Sequence, residues 1–158
     1  MAPDPQKNPV KPGSATFATK NFGDIVVREE QVITFSPGLL GFSEFHRYVL
    51  IEHGQESPFL WLQSLEKPDL AFVVMDPLYV LPDYQVGPIN GIQKELGVKS
   101  LQDLKVLVIL TIPPGRPQDM TANLMGPLLI NLTNRRAKQL VLESSPYSHK
   151  HRVLPAKG

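Results

Sequence analysis

From Thr16 onward, apolar runs of three to eight residues alternate with glycine, proline and asparagine, a spacing that fits strands better than helices. The pattern predicts strands at Ala15–Thr19, Asp24–Arg28, Gln31–Phe35, Tyr48–Glu52, Phe59–Gln63 and Leu70–Met75. Later ones fall at Tyr84–Val86, Lys105–Ile112, Thr121–Met125, Leu128–Asn131 and Gln139–Glu143. Two runs, Leu70–Met75 and Val106–Leu110, lack polar alternation, so each should be covered on both faces. Helix is confined to Ile89–Leu96, ending at Gly97, and to one turn after a capping-box sequence at Ser100–Asp103. Sixteen scattered prolines exclude long helices. The expected fold is mainly β, a small closed or nearly closed antiparallel β-barrel with one or two short helices, an architecture that leaves no open sheet edge.

Two stretches stand out within that pattern. Met120–Asn131 is a pair of apolar runs hinged on Gly126-Pro127, which predicts a strand that bends at a bulge or corner and continues. Asn123 and Asn131 flank the bend, where a side-chain amide can serve freed backbone groups. In Phe35–Phe42, Pro37-Gly38 predicts a type II turn, and Gly41 precedes an aromatic able to fold back on the barrel. Leu39, Leu40 and Phe42 then either cap a barrel end or form an apolar patch for a partner.

Length and composition narrow the class. At 158 residues the chain makes one domain, expected at 15–153, between a disordered proline-rich leader at 1–14 and a loose tail at 154–158. The absence of cysteine removes disulfide and thiolate chemistry. No apolar run reaches membrane-span length and the first residues carry no signal pattern, so a cytoplasmic protein without membrane contact is expected. The net charge of +1 conceals a division: residues 21–133 hold thirteen acidic against seven basic side chains, while both ends are basic. An acidic body repels a phosphate backbone and favours a basic protein partner.

Catalytic patterns are missing. Of His46, His53, His149 and His151, only the last two are spaced to share one side of a strand, and no third metal ligand stands near them. The chain has no nucleophile-elbow, Walker or dinucleotide-binding glycine pattern. Asp76-Pro77 follows a buried run, but as a turn starter without a partner base. We therefore expect no enzyme, metal or cofactor. The basic segment with Arg135, Arg136, Lys138, Lys150 and Arg152 has only Tyr147 for base stacking, and reads as a charged edge strand with no direct nucleic-acid role.

The ordered pieces Phe22-Gly23-Asp24-Ile25, Phe35 to Phe42, Phe59-Leu60-Trp61-Leu62-Gln63-Ser64, Ala71 to Pro77 and Thr121-Ala122-Asn123-Leu124, with Pro127 and Ile130-Asn131, resemble the flagellar assembly factor FliW family from about Thr19 to Val153. The resemblance implies a non-catalytic barrel that binds flagellin, through its C-terminal region, and the small basic repressor CsrA by turns. Antagonising CsrA would then couple flagellin synthesis to export. The partner-contact candidates are Leu39, Leu40, Phe42, Asp76 and Asn123. Two other classes fit a small barrel: a flavin-type ligand binder, which needs a basic or hydroxyl-rich phosphate pocket, and a weak RNA binder.

Overall fold

A computed structural model describes residues 13–54 and 56–154. The expected leader and tail lie outside these residues, except for Gly13, Ser14 and Leu154. Ser14 already belongs to the first strand.

The strands are β1 (Ser14–Thr19), β2 (Gly23–Arg28), β3 (Ile33–Phe35), β4 (Arg47–Glu52), β5 (Leu60–Ser64) and β6 (Ala71–Met75). They are followed by β7 (Leu104–Thr111), β8 (Thr121–Ala122), β9 (Leu128–Asn131), β10 (Arg136–Gln139) and β11 (His151–Arg152). One helix, α1 (Asn90–Leu96), and four 3-10 turns complete the described elements. Seven strands close a barrel in the order β7-β6-β5-β4-β3-β10-β9, with β9 returning to β7. Every barrel pairing is antiparallel except one: β10 runs parallel to β3, with Ala137 opposite Phe35. The exception follows from the chain path, because β10 arrives as a hairpin partner of β9 and fills the gap beside β3 in whichever direction it is already travelling.

Both fully apolar strands are covered on two faces. Phe72, Val74, Leu107 and Ile109 point into the barrel with Ile33, Phe35, Tyr48 and Leu62. Their neighbours Val73, Met75, Val108 and Leu110 point outward into a second core with Tyr84, Met120 and Leu124. The β1–β2 hairpin shields a third, smaller cluster around Val27, Val49 and Leu65 on the outside of β4.

The strand β7 shows why Met120–Asn131 matters. Along one edge it pairs first with β9, Leu107 opposite Leu128, and then with β8, Leu110 opposite Ala122. β8 and β9 are thus two halves of one crossing strand, and residues 123–127 bulge between them against Val108 and Ile109. Asn123 Oδ1 accepts from the Met125 and Gly126 amides at 3.1 and 2.9 Å, serving the freed backbone. Asn131 does the same at the other end, accepting from Thr133 N and donating to Leu96 O at the end of α1.

Several sequence expectations need correction. Tyr84–Val86 is a loop, fenced by Pro82 and Pro88; its apolar character serves packing, with Tyr84 Oη donating to Leu124 O at 2.7 Å. The strand expected at Gln139–Glu143 lies earlier, at β10, and is an interior barrel strand; the edge strand is β11. Leu140 and Leu142 leave the ladder but still donate to Pro127 O and Met125 O, bracing the bulge. Gly38 does not adopt the positive φ of a type II turn. Glycine is needed there because a Cβ would lie 2.7 Å from the carbonyl oxygens of Ser43 and Phe45.

Two buried tyrosines behave differently. Tyr48 Oη finds no hydrogen-bond partner among the described residues. Burial pushes its phenol up to about 12, with Glu66 and Glu44 adding to the effect, whereas an unfolded tyrosine titrates near 10. The neutral phenol is therefore favoured in the folded state, so stability is complete below pH ~10 and is lost as pH rises toward ~12. Tyr48→Phe should be near neutral at pH 7 and should flatten that alkaline loss, on the order of 2 kcal/mol. Tyr84→Phe should cost about 1 kcal/mol at pH 7 by stranding Leu124 O. Denaturant unfolding at pH 7 and above pH 10 measures both.

Candidate functional site

The loop after β3 and the bulge between β8 and β9 meet at one side chain. Gln139 Oε1 accepts from Leu40 N at 2.9 Å, and Gln139 Nε2 donates to Gly126 O at 3.1 Å. A Cβ on Gly126 would stand 2.8 Å from Asn123 Nδ2 and 3.0 Å from Gln139 Nε2. Glycine at 126 is thus required by close approach. The stapled loop divides its apolar residues: Leu39 is 1% exposed, Phe42 is half-buried edge-on to Phe72 at 5.2 Å, and Leu40 is 63% exposed. Leu39 is a core residue; what the loop offers to solvent is Leu40.

Leu40 and Asn123 line a single cavity of about 320 Å³ at one barrel end, floored by Phe72 and Ile109 and walled by Thr111, Thr121, Gln139, His149 and Lys150. Asp76 lies elsewhere. Its Oδ1 accepts from Leu78 N at 2.9 Å and caps the 3-10 turn Pro77–Tyr79. That turn forms one wall of a larger open groove of about 710 Å³. The structure therefore brings Leu40 and Asn123 together, with Phe42 on the same loop, and separates Asp76 from them.

The larger groove escaped the sequence reading. Its surface includes Val86, Ile89, Leu104 and Val106, and two leucines stand out from it, Leu78 at 53% and Leu101 at 64% exposure. Each projects from a one-turn 3-10 element behind a capping residue, Asp76 or Ser100. The caps were legible as turn starters, but single turns lack the periodicity that reveals an exposed face. Asp76 lines the groove, while Asp83 and Asp103 stand next in sequence or one turn from lining residues. None of the three has an ion-pair partner among the described residues. They share this with Asp24, Glu29, Glu44, Glu52 and Glu143, whereas Glu30, Asp69, Glu95 and Asp119 are each paired with a cation. The groove combines an apolar surface with the Asp76 carboxylate in its wall, a complement to a basic amphipathic surface.

Among the described residues, no three His, Asp or Glu side chains gather as a metal site, and no helix is long and apolar enough to cross a membrane. Removing the staple tests whether the two stretches depend on one another. Gln139→Ala and Gly126→Ala should each lower unfolding free energy by about 1–3 kcal/mol, the first by stranding Gly126 O and freeing the Leu40 loop, the second by overpacking. Urea melts of the two single variants and the double variant should be sub-additive, since the residues share one contact.

Comparison with known proteins bears on what these surfaces serve. The family model described as FliW protein matches residues 16–153. The flagellar assembly factor FliW of Treponema denticola is 43% identical over 137 residues, covering 86% of this chain and 91% of that protein. The one from Natranaerobius thermophilus is 40% identical over 142 residues, covering 90% and 94%. A crystal structure of the flagellar assembly factor FliW superposes with a TM-score of 0.84 at 36% identity, covering 91% of this chain and all of that one.

Proposed function

This chain belongs to the FliW family of flagellar assembly factors, and on that premise we propose that it binds the C-terminal region of flagellin and the repressor CsrA alternately in the cytoplasm, without catalysis. Flagellin retained in the cell occupies the factor and leaves CsrA free to repress. Export of flagellin releases the factor, which takes up CsrA and lifts the repression.

The observation that carries this reading is the groove around Leu78 and Leu101, with Asp76 in its wall and Asp83 and Asp103 next in sequence to lining residues. A basic protein is steered by such carboxylates and held by burial of the leucines. We assign this groove to CsrA.

Leu78→Ser and Leu101→Ser should leave stability within about 0.5 kcal/mol, because both side chains are already exposed. Together they should weaken CsrA binding by roughly ten-fold or more in calorimetric titration. Association should also slow as salt rises, and replacing Asp76, Asp83 and Asp103 by Asn should remove most of that salt dependence. Undiminished CsrA binding by the leucine pair would refute the groove assignment, and failure of the unmodified protein to bind either partner would refute the function.

A further inference from the structure

The smaller cavity carries a second kind of chemistry. Its lining holds no carboxylate; the ionisable groups there are Lys150 and His149, which the basic C-terminal segment brings against the acidic body. Lys150 has no ion-pair partner among the described residues. Thr111 and Thr121 face one another across the β7–β8 pair, so their side chains stand about 5 Å apart at Cβ. Neither hydroxyl is engaged within the described residues. Asn123, also in the lining, is held in place through its Oδ1.

Donors, a cation and an apolar floor thus converge on one small space. We propose that this barrel mouth binds the carboxyl terminus of a polypeptide, the terminal carboxylate lying against Lys150 and the threonine hydroxyls and an apolar side chain resting on Phe72 and Ile109. Size and shape favour this occupant over other anions. At about 320 Å³ the cavity is at the small end of ligand sites, with room for a residue or two and too little for a flavin nucleotide. Exposed Leu40 at the lip extends the apolar contact to the preceding residue of the peptide. The inference rests on the proposed function only for the source of the terminus, a client such as flagellin.

The test is nuclear magnetic resonance of the whole chain titrated with N-acetyl-leucyl-leucine and, separately, with its C-terminal amide. The free acid should shift Thr111, Thr121, Asn123 and Lys150 saturably at millimolar concentration, and the amide should bind about ten-fold more weakly. Lys150→Gln, at an exposed position, should keep the fold and abolish the preference for the acid. Equal shifts with acid and amide, or no shifts with either, would overturn the site. If flagellin binds while the dipeptide moves nothing, the site falls and the function stands. If the dipeptide binds as described and flagellin does not, the site stands and the function falls.

Discussion

Closure of the barrel depends on how the chain accommodates an interrupted strand. β7 needs a continuous partner along one edge, and it is given two short ones, β8 and β9, with five residues bulging between them. A bulge in the wall of a barrel exposes backbone donors and acceptors to an apolar interior, at about 1–3 kcal/mol for each one left unsatisfied. Here Asn123 takes two amides, Gln139 takes a carbonyl, and Leu140 and Leu142 donate to two more. Because Gln139 also accepts from Leu40 N, the solution that closes the wall also positions the exposed leucine.

That arrangement explains what was legible in the sequence. The bend at Gly126-Pro127, the supporting role of Asn123 and Asn131 and the double-faced burial of Leu70–Met75 and Val106–Leu110 are local consequences of residue type and could be read directly. The parallel pairing of β3 with β10 could not, since it depends on where two distant segments meet. β11 has only two residues and takes its conformation from β8, with no periodicity of its own. Tyr84–Val86 has a strand's composition and a loop's neighbours; the packing of Tyr84 against Leu124 decided the matter. Of the contact candidates, Leu39 and Leu40 are adjacent and identical in type, and only the three-dimensional turn distinguishes the core residue from the exposed one.

The two concavities share β7: Val106 lines the outer groove, and Ile109 and Thr111 line the barrel mouth. Three residues along a strand span about 10 Å, whereas a protein partner of ordinary size covers about 800 Å². If the groove and the mouth are the two partners' sites, partners of that size can exclude one another by bulk without sharing a contact residue. Alternate occupancy then requires no conformational change in the barrel, only affinities matched to the partners' concentrations.

Mutual exclusion is the central claim, and calorimetry measures it most directly: CsrA titrated into this protein alone, then into the same protein saturated with intact flagellin. The account predicts that the CsrA heat disappears, or that its affinity falls in proportion to the flagellin added. A CsrA isotherm unchanged by saturating flagellin would contradict it, because both partners would then occupy the barrel together.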